Sequence, residues 1–302
     1  MNKPLWAGSV LTGLVCLIAL FGPWFTPYGP KDQVKISYER DASGQAVLYA
    51  PPVKPGSEHW FGTDRWGYDI FTQLMYGAKY TLAAVGAVAL IRTVIGGAIG
   101  LLLGFTRNQA KSRWSLGALN GVPMFMIVFF VLFGISLNSA LSPVQLTMLM
   151  CGLFIVLGIP AVISVVQNKT WELRRRPYVE AALSVGAGRG RILRRHIIPH
   201  LKESLLMLFV NEMILALTMF GQLGIFSLFV GGTEVQKDPT IFVPVTNEWA
   251  GLVANARHYL DYNEWMLLFP TGAYMTLLLG FFLVSKGLES KYRAQYSKPP
   301  HM

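Results

Sequence analysis

Apolar residues run in long unbroken stretches along this chain, and polar residues gather between them. The stretches lie at about 7–26, 80–105, 114–137, 143–167, 203–230 and 266–286. As helices rising 1.5 Å per residue, each is long enough to cross a hydrocarbon layer about 30 Å thick. The pattern predicts an all-α membrane protein with six transmembrane helices. Gly97, Pro123, Pro160 and Pro270 fall inside these stretches. Membrane helices accept such residues because neighbouring helices satisfy the freed backbone groups. Gly96, Gly100 and Gly104 recur every four residues on one helical face, which predicts close approach of another helix backbone.

The polar segments are unequal. Segment 27–79 is too polar to insert; strand-like alternation opens it, and the aromatic stretch HWFGTDRWGYDIFTQLMYGAK closes it. Trp60, Trp66, Tyr68 and Tyr76 suit the headgroup layer. Segment 231–265 mixes turn residues with a short helical pattern from Glu248 to Tyr259. Segment 168–202 is the most informative, because its last part reads YVEAALSVGAGRGRILRRHIIP. Pro177 suits a first helical position, where a missing N–H costs nothing. Tyr178–Val185 then reads as a short helix, with Glu180 in the first turn where a carboxylate is favoured. Gly186 can take the left-handed turn that ends it. Arg189, Arg191, Arg194 and Arg195 follow on a second helix, and Pro199 punctuates the start of the next span. Two short helices around a glycine elbow make a compact knob. Such a knob either fits a groove on a separate protein or is a basic loop that fixes topology.

Composition strengthens the membrane reading. The 302 residues are 53% apolar and 14% charged, with a mean hydropathy of +0.43, where a soluble domain carries about a quarter charged residues. Charge then sets the orientation. Segment 168–202 has nine Lys and Arg against Glu172 and Glu180, net +7. Loop 106–113 is net +3, the tail from Lys286 is net +3, and Lys3 adds one more. Segment 27–79 is balanced and 231–265 is net −3. Positive loops stay inside, so both termini are predicted cytoplasmic and 27–79 extracellular. The net charge of +10 thus reflects topology and offers no nucleic-acid surface. The expected units are a first transmembrane helix (1–26), an extracellular segment with an amphipathic elbow (27–79), a membrane-spanning core (80–290) holding the cytoplasmic region 168–202, and a cytoplasmic tail (291–302).

Candidate chemistry is sparse. Arg92 and Glu212, with Asn211 beside it, lie inside apolar stretches. Charged groups at mid-bilayer cost roughly 2.5–3.5 kcal/mol on insertion scales and so face protein or a water cavity. They are candidates for a translocation-pathway lining or for contact with a partner subunit. Asp64 and Asp69 are expected to organise the elbow. Cys16 and Cys151 read as small hydrophobes. His196 and His200 are four apart but lack further ligands, so no metal site is expected. No nucleophile–base constellation can be drawn, and an enzyme is not expected.

The segment YVEAALSVGAGRGRILRRHIIP closely resembles the EAA signature of ABC importer permeases, with Glu180, Ala181, Ala182, Gly186, Ile192 and Pro199 at the signature positions. FGTDRWGYDIFTQLMYGAK resembles the HPLGTDxxGRDxxSRLxxGAR pattern of the dipeptide, oligopeptide and nickel branch; Gly62, Thr63, Asp64, Gly67, Asp69, Gly77 and Ala78 match. Tyr68 stands where that pattern has arginine. A third likeness is EWAGLVANARHYL with EWMLLFP and GFFLVSKGLE towards the last span. The resemblance covers about residues 60–290. It implies a type I ABC importer permease fold in a bacterial-type cytoplasmic membrane. It implies a second, different permease subunit, two cytoplasmic ATPase subunits and an extracellular substrate-binding protein as partners. The implied cargo is di- or oligopeptides or similar small solutes. Tyr178, Glu180, Ala181, Ala182, Gly186, Ala187, Arg191, Ile192 and Pro199 are implied to couple to the ATPases. The chain contains no G-x-x-x-x-G-K-[ST] loop. No cofactor is therefore expected on it, and ATP and Mg2+ are expected on the partner ATPases. An ion-coupled secondary transporter built around Arg92 and Glu212 is the competing reading; no inverted repeat is visible to support it.

Overall fold

The computed structural model describes residues 2–40, 46–106, 122–236, 241–259 and 261–296. The cations expected in loop 106–113 (Arg107, Lys111, Arg113), the start of the 114–137 stretch, and His301 and Met302 lie outside the described residues.

Nine helices are described. They are α1 (Lys3–Phe21), α2 (Ile70–Thr106), α3 (Met124–Ser136), α4 (Pro143–Arg174), α5 (Pro177–Ser184), α6 (Arg189–Ile192), α7 (Ile198–Ile225), α8 (Trp249–Ala256) and α9 (Trp265–Tyr296). Among the described residues five stretches are long and apolar enough to cross a membrane: Lys3–Trp24, Ile70–Thr106, Pro143–Arg174, Arg189–Ile225 and Trp265–Arg293. The sixth expected span is represented by α3, whose 13 residues extend only about 20 Å. The purely helical expectation also needs correction. Ser37–Arg40 (β1) pairs antiparallel with Ala46–Tyr49 (β2), and Thr233–Gln236 (β3) with Ile241–Pro244 (β4).

Boundaries moved for local reasons. Helix α2 starts at Ile70, about ten residues before the apolar stretch, because Asp69 accepts the free Thr72 N–H at 2.7 Å and so caps it. Helix α4 is capped by a reciprocal Ser142–Gln145 box and runs on to Arg174. Helix α7 stops at Ile225, where Ser227 adopts φ +58°.

Helix α2 lies along α4 at very short range. A Cβ on Gly100 would sit 2.8 Å from the Ile163 carbonyl oxygen, and one on Gly104 2.6 Å from that of Gln167. The four-residue glycine repeat therefore does what its spacing predicts. The main apolar core draws on α2, α4, α7, α8 and α9, including Val85, Phe154, Leu217, Phe220, Trp249 and Phe281. A second cluster lies at the other end of the bundle. It joins Val166 and Leu173 of α4, Val179 of α5, Ile192 of α6, Ile197 just before α7 and Leu201 of α7. Helix α1 packs on α9, and Asn2 Nδ2 donates to the Gly287 carbonyl at 2.5 Å. The chain start, the far end of α9 and region 168–202 thus gather at one basic end.

Candidate functional site

The basic end carries the knob. Helix α5 begins at Pro177, as its φ-restricted ring favours. It ends at Ser184 with Val185 as the cap, and Gly186 follows with φ +82°, a conformation that costs a side-chain-bearing residue about 1–2 kcal/mol. Helix α6 starts after Gly188 and passes through a π-turn, Leu193–Ile197, into α7. Val179, Ile192 and Ile197 point inward and are fully buried; Ala182 and Ala187 are half-buried. The other face is open. Tyr178, Glu180, Ala181, Gly186, Arg191 and Pro199 are exposed, and Val185 is 89% exposed. Among the described residues, no hydrogen bond or ion pair reaches the side chains of Glu180, Arg189, Arg191, Arg194 or Arg195. The Tyr178 ring sits 5.8 Å from that of His200 and 6.1 Å from that of His196. An exposed apolar strip bordered by free cations is the usual make-up of a contact surface. Arg174 ties the knob to α2 by donating to the Phe105 carbonyl at 2.7 Å.

The intramembrane polar residues are arranged differently. Arg92 of α2 is completely buried and Glu212 of α7 is 7% exposed. Arg92 Nη1 lies 2.8 Å from Glu212 Oε2, without hydrogen-bond alignment, and among the described residues the guanidinium has no hydrogen-bond partner. The guanidinium fills the space over Gly158 of α4, where any Cβ would overlap it. Arg92, Gly158 and Glu212 therefore bring α2, α4 and α7 together in mid-bundle. Neither charge is presented at this chain's surface. Asn211 is exposed and accepts a hydrogen bond from Ser285 Oγ of α9 at 2.6 Å. Gly158 was not singled out from the sequence, because a glycine in an apolar stretch carries no sign of what occupies its space.

The elbow at the start of α2, opposite the knob, is closed in on itself. Asp64 Oδ1 accepts from the Trp66 and Tyr68 amides at 2.8 and 2.9 Å, and Oδ2 from Gln73 Nε2 at 2.6 Å. Burial pushes the Asp64 carboxyl up to about 6, against the lowering effect of those donors. Asp69 lies 3.0 Å from His59 Nδ1 and accepts from the Thr72 hydroxyl at 2.8 Å. Gly62 and Gly67 supply φ +72° and +85°. Thr63 Oγ1 accepts from the Val53 amide at 2.8 Å, and the Thr63 carbonyl from Trp265 Nε1 at 3.3 Å. Arg65 donates to the Tyr259 hydroxyl at 2.9 Å. Nearby, the fully buried Glu248 accepts from the Ala250 amide at 2.9 Å, capping α8; burial pushes its carboxyl up to about 7. The sequence places Glu248 at the start of this helical pattern but does not mark it as the cap, since glutamate is an uncommon helix cap.

Residues 96–293 match the family described as "Binding-protein-dependent transport system inner membrane component", well over half of the chain. The chain belongs to this family. Residues 1–52 also match the N-terminal transmembrane domain of oligopeptide transport permease C. Among curated relatives, the dipeptide transport system permease protein of Alkalihalophilus pseudofirmus is 27% identical over 292 residues, covering 95% of this chain and 84% of the relative. The oligopeptide transport system permease protein of Bacillus subtilis is 26% identical, covering 95% and 84%. A glutathione transport system permease protein of Escherichia coli is 27% identical, covering 91% and 81%. The chain is thus a multi-pass permease subunit of the ABC importer class, and permeases of that class leave ATP hydrolysis to other subunits.

Proposed function

We propose that this permease translocates di- or oligopeptides, or similar small solutes, handed to it by an extracellular binding protein. It does so beside a second permease and above two cytoplasmic ATPases that bind ATP and Mg2+. The observation that carries the coupling role is the knob: its signature residues Tyr178, Glu180, Ala181, Gly186 and Arg191 are exposed, and among the described residues no hydrogen bond or ion pair reaches the side chains of Glu180 and Arg191. A groove on an ATPase subunit accounts for that face. The inward face of the same knob is locked to α4 and α7 by Leu173, Val179, Ile192, Ile197 and Leu201. A displacement of the knob would therefore enter two spans at once. The α2–α4 glycine contact and the Arg92–Glu212 pair would carry it into a three-helix unit. We read Arg92 and Glu212 as that tie within the chain, not as a cargo-binding lining, and the elbow residues Gly62, Thr63, Asp64, Gly67 and Asp69 as scaffold.

Six crossings are supported by parity. Helix α2 ends near the knob at Phe105, whereas α4 reaches the knob with its C-terminal end at Leu173. The chain must return to the opposite end between Thr106 and Pro143, and α3 lies there. With the positive end inside, both termini are cytoplasmic and residues 27–69 and 231–264 are outside. The test is uptake of radiolabelled peptides by cells whose only copy of this permease carries Gly186→Pro or Glu180→Lys. Uptake is expected to be lost while the protein stays in the membrane. Wild-type transport with normal ATPase stimulation in both variants would overturn the coupling role.

A further inference from the structure

Two concavities meet at Lys202 and Leu206, at the basic end of the bundle. The first is an apolar groove of about 500 Å³ between α2 and α7, walled by Leu90, Val94, Gly97, Leu101, Leu205 and Phe209. The second, about 410 Å³, lies between α7 and the end of α9 and is lined by Lys202, Glu203, Leu206, Lys291 and Tyr292. Lys202 and Leu206 line both. The chain thus offers a hydrocarbon slot that opens into a cationic, aromatic-edged bowl.

Dimensions and charge choose the occupant. From Leu90 to Leu101 the groove follows α2 for about 16 Å, half of a hydrocarbon layer about 30 Å thick and so the depth of one leaflet. A groove of that depth with apolar walls fits an acyl chain. Leu90 and Val94 are 54% and 59% exposed, so the slot opens sideways at the surface of this chain. At its mouth Lys202 and Lys291 outnumber Glu203, leaving one net positive charge to meet one phosphodiester. Basic pockets between spans hold anionic headgroups for this reason.

We propose that this cleft binds one anionic phospholipid, such as phosphatidylglycerol, with an acyl chain along α2 and α7 and its phosphate between Lys202 and Lys291. The inference needs neither an ATPase nor a peptide cargo, so its failure leaves the transport reading standing. The full chain, with whatever subunits remain attached, would be stripped of lipid in detergent and offered phosphatidylglycerol, phosphatidylethanolamine and phosphatidylcholine of equal chain length. Bound lipid would be counted by native mass spectrometry. Phosphatidylglycerol is expected to be retained over phosphatidylcholine by roughly fivefold per lysine. K202Q/K291Q, both exposed positions, should bring the two lipids near parity. Gly97→Leu, whose Cβ meets only the flexible end of Leu205, should fill the slot and lower retention of every lipid severalfold. Glycerol phosphate without acyl chains should not compete. Equal retention of the lipids, preference for phosphatidylethanolamine, a preference unmoved by K202Q/K291Q, or cross-linking of Gly97→Cys to a second permease in place of lipid would each overturn the proposal.

Discussion

At one end of the bundle, Thr63 and Asp69 are buried and Asp64 is half-buried, and they spend their polar atoms on Val53, Trp66, Tyr68, Gln73, His59 and Thr72. At the other end, Glu180, Arg189 and Arg191 are exposed, and nothing among the described residues pairs with them. Both stretches resemble family signatures with equal clarity in the sequence. They differ in where their partners are. The elbow's signature is used up in folding: it turns the chain with two left-handed glycines, caps α2 and pins it to Tyr259 and to Trp265 of α9. In the knob's signature Gly186 and Ile192 serve the fold, with Val179 and Ile197 behind them, while Glu180, Ala181 and Arg191 are left facing out. Accounting for each polar side chain separates a signature that builds the fold from one that serves a neighbour.

Changes at the closed sites should cost stability, and changes at the open one should cost function. The largest stability loss is expected for Arg92→Leu, which strands the buried Glu212 carboxylate; about 3–5 kcal/mol is expected. R92L/E212L should recover most of it, as read by thermal unfolding of the purified chain. Asp69→Ala removes the α2 cap and the partner of His59, for an expected loss of about 2 kcal/mol in the same assay. A smaller, pH-dependent effect should come from Asp64 and Glu248. Their folded carboxyls are raised to about 6 and about 7. The stability they contribute is therefore complete below the ordinary carboxyl range and is lost as pH rises through those values. Amide exchange around residues 60–73, corrected for intrinsic rates, should be slower at pH 5 than at pH 8, and Asp64→Asn should flatten that difference. The smallest stability change is expected for Ala181→Arg on the knob, within about 0.5 kcal/mol, although co-purification with ATPase subunits should be lost. A large drop in unfolding temperature for Ala181→Arg, or none for Asp69→Ala, would break the contrast.

The long apolar helices, the α2–α4 glycine contact and the knob's two-helix form were legible because each depends on local spacing or on one residue's backbone freedom. Pro177, Gly186 and the Gly96–Gly104 repeat stand where their chemistry predicts. The start of α2 was not legible. It depends on Asp69 accepting an amide three residues on while also holding His59, and nothing in an aromatic amphipathic stretch announces that. Arg92 and Glu212 could be recognised as costly, but not as each other's partner. They are 120 positions apart, and their meeting depends on Gly158 of a third helix leaving room. The hairpin β1–β2 was visible only as strand-like alternation and β3–β4 only as turn residues, because four-residue strands leave little periodic signal.

The central claim is that the knob's open face seats on a separate ATPase inside the cell. The direct measurement is site-specific photocross-linking in a transport-competent assembly in which Cys16 is replaced by Ser. A probe would be placed at Val185→Cys, with Leu48→Cys in the β1–β2 hairpin as the control; the two positions are 89% and 54% exposed. The account predicts an adduct with an ATPase subunit from position 185 and none from position 48. No ATPase adduct from position 185, or labelling of that cysteine by an impermeant reagent added outside intact cells, would contradict it.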